Sequence, residues 1–363
     1  MAKSTPTTRL LRDMARAAKS QRKLVAKLFD IYSGTPAKRA VARKPAKPAR
    51  PKTTTPTPAR LPAPSGRWLE GHHQLPYWLY LPQRTPEHAA QSRWPLVVML
   101  HGCHQSAPDF AQGTRMNRLA QAKGYAVLYP QQSSSAQAQR CWRWFDRAAQ
   151  EGGGETGVLA ALIEHVCTAH RIDRRRIYAC GLSAGAGMAA VLALNHPELI
   201  AAIGMHSGPV FGACHTPMGA LHVMRRGAEA QADAAICDLL DRHATGTPAR
   251  SLPPMPALLI HGEDDPVVSH VNQQQLARQW LRLNGIPLAT ASRVSVKPAG
   301  RGGASNPHEI HDFTVRRKVM VRVVRIAGLR HEWSGGDPAL RFNARARPDA
   351  SRMMLAFFGA HRR

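Results

Sequence analysis

The chain has 363 residues and a formal net charge of +27. That length can bury a sizeable core, as one large domain or two ordinary ones, and argues against a small disulfide-held scaffold. No apolar run is long enough for a membrane span, the N-terminus lacks the apolar core of a secretory signal, and the six cysteines include no CxxC pair that would suggest zinc. Together these features point to the cytoplasm.

The charge is uneven. Residues 1–66 hold 16 Lys/Arg against 2 Asp, a net of +14, which leaves +13 for the other 297 residues. Within this extension, residues 7–32 place Leu10, Leu11, Met14, Leu24, Val25 and Leu28 on one helical face, with Arg12, Arg16, Lys19 and Lys23 largely elsewhere. Residues 33–66, rich in Pro, Ala, Lys and Arg, cannot bury enough apolar surface to fold and read as a disordered linker. Ordered structure is expected from Arg67 to the C-terminus, giving a basic extension 1–66 and a folded domain 67–363.

From Arg67 the pattern alternates. "RWLEGHHQLPYWLYLP" reads as two antiparallel strands and "WPLVVMLHG" as a buried strand, followed by the helix "DFAQGTRMNRLAQAKG" and the strand "YAVLYP". The helix "GETGVLAALIEHVCTAH", the strand "RRIYACG", the helix "AGAGMAAVLALNHPE" and the strand in "LIAAIGMHSG" continue it, as do "MPALLIHGEDD", "VNQQQLARQWLRLNG" and "KVMVRVVRIAG". Strands alternating with helices imply a mainly parallel sheet covered on both faces. Residues 209–255 and 286–318 break the rhythm and read as insertions near the carboxyl ends of strands, where pockets lie.

"GLSAG" at 181–185 sits directly between a buried strand and a helix. That context suits a nucleophile elbow, with Ser183 projecting from the top of the sheet; the alternative is a plain turn in which Ser183 caps the helix. A serine hydroxyl needs a base, and the base needs an acid to orient it. Asp264 and Asp265 follow one strand and His331 follows the last, so all three functions can converge at one end of the sheet. Two backbone amides must then hold an oxyanion: Ala184, and Cys103 or His104 in the loop after "VVMLHG". "RCWRWF" is the other distinctive element. Trp142, Trp144 and Phe145 either line an apolar cleft or seal a loop onto the core; Trp142 and Trp144, with His104 and Trp333 from neighbouring loops, are the candidates for substrate contact. "GGGE" at 152–155 lacks the Lys-Ser/Thr of a phosphate loop and reads as a hinge.

"LVVMLHGCHQSAPDFAQGTRMNRLA", "CWRWF", "GLSAGAGMAA", "HSG", "HGEDDPVV" and "GLRHEWSGG" together resemble the poly(3-hydroxybutyrate) depolymerase family of esterases, which also includes feruloyl and acetylxylan esterases. The resemblance covers about residues 75–361 and does not reach residues 1–66. It implies an α/β-hydrolase fold, a mostly parallel central sheet with helices on both faces, preceded here by the basic helix and linker. It implies Ser183 as nucleophile and His331 as base. It also implies Asp265 as acid, matching an H-G-x-x-D-x-x-V pattern through His261, Gly262 and Val268. Family members commonly read C-W-N-W-F and G-L-G-H where this chain has Arg143 and Arg330; Arg330 is expected to point to solvent.

The expected chemistry is two-step acyl transfer without metal or organic cofactor. The resemblance favours a polyhydroxybutyrate chain or its oligomers as substrate, with a feruloyl- or acetylxylan-type ester as the alternative. In the first case the basic helix is a candidate for docking on a storage granule. A different class of reading makes the basic tail the working part, contacting nucleic acid weakly and without sequence preference. Cys103 and Cys141 lie in loops at the same end and can pair in an oxidising compartment, whereas in cytosol they stay thiols. The alternative location is extracellular, by a route other than the general secretory one.

Overall fold

The computed structural model describes residues 65–83, 93–135, 137–245 and 252–363. The expected basic helix and nearly all of the linker, with the granule and nucleic-acid contacts assigned to them, lie outside the described residues.

Among the described residues the strands are, in chain order, β1 (Arg67–His73), β2 (Leu75–Leu81), β3 (Trp94–Leu100), β4 (Ala126–Pro130), β5 (Ile172–Leu182), β6 (Ala202–His206), β7 (Ala257–Gly262), β8 (Arg293–Lys297), β9 (His308–Val315), β10 (Lys318–Ile326), β11 (Trp333–Ser334) and β12 (Asn343–Ala344). The helices are α1 (Ala107–Thr114), α2 (Met116–Lys123), α3 (Arg147–Gln150), α4 (Gly154–Ala169), α5 (Ala184–Asn195), α6 (Pro217–Arg226), α7 (Glu229–Thr245), α8 (Val271–Leu283) and α9 (Ala350–Gly359). Ten strands make one sheet in the order β1-β2-β4-β3-β5-β6-β7-β10-β9-β8. Its middle, from β4 to β10, is parallel, and antiparallel pairs close both sides.

The strands are apolar on both faces because helices cover both. Leu96, Val98, Ile177, Ala179 and Leu259 face a core completed by α4, α5 and α8. Val97, Met99, Tyr178, Cys180 and Leu258 face the opposite core, completed by α1, α2 and α9. Helix α5 is buried over all but its last residue, which explains its run of Ala and Gly in place of a polar stripe. The chain passes from β3 to β4 on one side, then crosses to β5 on the other. Loops leaving the carboxyl ends of β3 and β5 therefore diverge and open a crevice, the usual place for a ligand in such sheets.

Of the two arrhythmic segments, the first follows the carboxyl end of β6, as expected, and the second does not. Residues 209–255 contain α6 and α7. Residues 286–318 are not a pocket insertion: β8 and β9 extend the sheet as antiparallel strands beyond β10. The segment "RVSVK" alternates polar and apolar residues, but as an edge strand it leaves Val294 and Val296 51% and 67% exposed, so its apolar positions do not mark a buried face. Asp312 on β9 ties the edge together. Its carboxylate accepts two bonds from Arg322 on β10, at 2.6 and 2.7 Å, and one from Arg293 on β8 at 3.2 Å. Asp312 is buried while both arginines keep partial access to water, so removing its charge leaves no stranded ion. Asp312→Asn is expected to lower stability by about 2 kcal/mol, read from the midpoint of urea unfolding.

Candidate active site

Strand β5 ends at Leu182 and α5 begins at Ala184, so Ser183 alone makes the turn. It does so at φ 57° and ψ −122°, a strained conformation for a residue with a side chain. Its amide donates to His206 O at 3.0 Å, and its carbonyl accepts from the Gly187 amide at 3.0 Å. The flanking glycines are required by proximity. A Cβ on Gly181 would stand 2.5 Å from Leu100 O, and one on Gly185 would collide with the Leu100 and His101 carbonyls. Ser183 makes no side-chain cap to α5, so the capping alternative does not hold. Its Oγ is buried and has no hydrogen-bond partner.

Asp265 and His331 come together from two loops. Asp265 Oδ1 accepts from the Val267 and Val268 amides, both at 2.9 Å, and Oδ2 accepts from His331 Nδ1 at 2.7 Å. Burial alone would raise the Asp265 carboxyl. The charge and hydrogen bond of His331, with help from His261 and the Val268 amide, outweigh it and hold the group well below the usual carboxylate range. Asp264, which spacing could not separate from Asp265, is exposed, and Arg330 is exposed as well.

Three further buried histidines lie at this end of the sheet, and His261 Nε2 also comes within 3.6 Å of Asp265 Oδ2. His206 stacks on Trp333, its Nε2 accepts from the Ser334 amide at 3.3 Å, and burial pushes it down to about 3. His261 donates from Nε2 to Val268 O at 2.8 Å and is lowered by burial. His101 donates from Nδ1 to Gly102 O and accepts at Nε2 from the Gln132 amide; burial pushes it down to about 4.

The loop after β3 is held on several sides. Gln105 Oε1 accepts from the Gly102 amide at 2.9 Å, and the His104 amide donates to Gln139 O at 2.6 Å. A disulfide joins Cys103 to Cys141. With the His104 amide engaged, those of Cys103 and Ala184 are left without acceptors among the described residues. Ser183 and His331 share one small cleft, about 10 Å³, with Gly102, Cys103, Gln105 and Phe342.

The aromatic candidates are corrected. Trp142, Trp144 and Trp333 are 0%, 3% and 0% exposed, and none lines that cleft. Trp142 packs on His101, Trp144 on Phe145, and Trp333 between Phe110 and His206 with Nε1 donating to Ser351. Their rings seal loops onto the core because their large apolar area gains more from full burial than from a cleft wall. His104 sits beside the cleft in a left-handed conformation and does not line it. The lining residues missed in sequence were Gln105 and Phe342, which carry no motif. Glu155 of "GGGE" was also missed: its carboxylate takes the Arg143 amide and the Gln132 side chain, anchoring the "CWRWF" loop. Among the described residues, no cluster of His, Cys, Asp and Glu is arranged to hold a metal ion.

A serine on a strained strand-to-helix turn, at the switch point of a mostly parallel sheet, beside a buried His–Asp pair, defines the α/β-hydrolase class. The family profile described as Esterase PHB depolymerase matches residues 75–300, and the chain belongs to that family. It is 30% identical over 214 residues to poly(3-hydroxyalkanoate) depolymerase C of Paucimonas lemoignei, covering 58% of this chain and 49% of that protein. It is 27% identical over 272 residues to a poly(3-hydroxybutyrate) depolymerase of Ralstonia pickettii, covering 72% and 52%. The chain thus spans about half the length of these relatives. An acetyl xylan esterase from Aspergillus awamori superposes with a TM-score of 0.62 at 18% identity, over 81% of this chain and 100% of that one, which shows the shared fold.

The neutral histidines make stability pH-dependent. His101 and His206 titrate near pH 4 and 3 in the folded state but near about 6.5 when unfolded, so the unfolded chain binds more protons between those values. Their contribution is complete above about pH 6.5 and is lost as pH falls toward the folded values. Thermal melts from about pH 7 down to pH 5 are expected to show a falling Tm, with a shallower slope in His206→Asn.

The disulfide closes a separation of 38 residues. Cys141→Ser is expected to cost up to about 4 kcal/mol of stability. By loosening the Gly102–Cys103 segment it should also lower kcat on a soluble ester about tenfold, measured below the variant's melting range.

Proposed function

We propose that the chain is a carboxylic ester hydrolase in which Ser183 is the nucleophile, His331 the general base and Asp265 the acid that orients it. The observation that carries this reading is the buried Asp265–His331 hydrogen bond, made at a cleft whose wall also holds Ser183. With Nδ1 committed to Asp265, His331 has Nε2 left to take the Ser183 proton. Ser183 Oγ attacks the ester carbonyl, and the Cys103 and Ala184 amides receive the oxyanion. His331 returns the proton to the leaving alcohol as the C–O bond breaks. Water then attacks the acyl-serine in the same manner and releases the acid, with the Asp265 carboxylate stabilising the imidazolium in both halves.

The substrate we propose is poly(3-hydroxybutyrate) or its oligomers. The names of the two curated relatives support this. The Cys103–Cys141 disulfide favours the extracellular alternative over the cytoplasm as the place of action.

Ser183→Ala and Asp265→Asn are each expected to lower turnover of p-nitrophenyl butyrate by about 10⁴-fold or more, with little change in Tm. Wild type should also clear amorphous polyhydroxybutyrate granules, and Ser183→Ala should not. Clearing of the soluble ester alone would keep the triad and remove the polymer. Turnover that survives in Ser183→Ala would remove the triad.

A further inference from the structure

A second cavity, of about 290 Å³, opens where β7 and β10 end and α8 begins. It does not share a lining residue with the Ser183 cleft. Arg325 stands in its wall, on β10 directly across from His261 on β7, and its guanidinium forms no ion pair or hydrogen bond among the described residues. The carboxylate in the wall, Glu263, is exposed and unpaired with it. Glu309, the neighbour of Arg325 on β9, is engaged with His311 at 3.2 Å.

The floor is unusual for its unused acceptors. Gln273 is 1% exposed, and its Nε2 donates to both Leu259 O and Val324 O, which fixes the amide orientation. Its Oε1 is left without a protein partner. His261 is 2% exposed, and its Nε2 carries the proton given to Val268 O, so Nδ1 is a bare acceptor. Two acceptors without a protein partner that line the cavity, beside a guanidinium in its wall, suit a ligand that offers an anion at one end and a hydroxyl donor at the other.

We infer that this cavity binds a short hydroxycarboxylic acid, its carboxylate on Arg325, with the exposed His270 at its side, and its hydroxyl donating to Gln273 Oε1 or His261 Nδ1. The inference rests on the proposed esterase reading for the source of such an acid, since hydrolysis of a polyhydroxyalkanoate releases that class. It does not rest on it for the site.

The test is calorimetric titration of the full chain with sodium 3-hydroxybutyrate and, separately, with sodium butyrate, which has the carboxylate without the hydroxyl. Ser183→Ala serves as the non-hydrolysing background. The expected result is one saturable site per chain for 3-hydroxybutyrate, with butyrate about tenfold weaker. Arg325→Gln should weaken binding by about tenfold or more while leaving p-nitrophenyl butyrate turnover at the wild-type level, which also shows that it folds. Equal binding of butyrate, binding unchanged in Arg325→Gln, or no saturable binding in the folded protein overturns the inference. The two readings fail separately: turnover that survives Ser183→Ala removes the triad and leaves this titration standing, whereas absent binding leaves the triad untouched.

Discussion

Helix α5 approaches β3 so closely that the rest of the site depends on it. The first turn of that helix lies against the Leu100 and His101 carbonyls so tightly that residue 185 has no room for a side chain, and residue 181 is pressed by the same strand and by the helix itself. This contact brings the end of β5 and the loop after β3 to one spot, and it forces the intervening residue into a backbone conformation that a free chain avoids. A strained residue at φ 57° persists only where its surroundings over-determine it. Here the surroundings are a fully buried helix on one side and the His206 carbonyl on the other. The serine hydroxyl is thereby presented by packing, with no hydrogen bond of its own spent on holding it.

The electrostatics follow the same economy. One ionised carboxylate is kept under the end of the sheet, and it is held there by two backbone amides and one imidazole, so its cost of burial is met by donors that cannot move away. The other imidazoles nearby are neutral, each with its proton assigned by a carbonyl or by an amide it accepts from. These rings fill space and fix loops, and His261 also approaches the Asp265 carboxylate at 3.6 Å.

Much of this was legible in the sequence because it rests on local rules. Alternating apolar runs and helices gave the parallel middle of the sheet, and the strand–Gly-x-Ser-x-Gly–helix context located the turn. Asp264 and Asp265 could not be told apart by spacing, since both lie in the same loop; what separates them is which carboxylate turns inward onto the Val267 and Val268 amides. The tryptophans of "CWRWF" and Trp333 of "GLRHEWSGG" could not be placed because neither loop has a periodicity to say which side is inside. Residues 286–318 were misread because the alternation of "RVSVK" sits on an exposed edge strand and its neighbour β9 buries Asp312 where an apolar residue would have marked the core. Gln105, Phe342 and Glu155 act through long-range contacts, and a lone Gln, Phe or Glu carries no pattern that announces one.

The Cys103–Cys141 bond also changes the covalent topology of the chain. It closes a ring that contains α1, α2 and β4, so that one wall of the cleft and the strand behind it belong to a cycle and not to a line. A single backbone cut within that ring, for example in the surface segment after β4, opens the cycle without dividing the molecule. The two halves stay joined through sulfur, and the sheet between them keeps its register. Resistance to clipping at this end of the protein is therefore a property of connectivity, independent of how tightly the loop itself is packed.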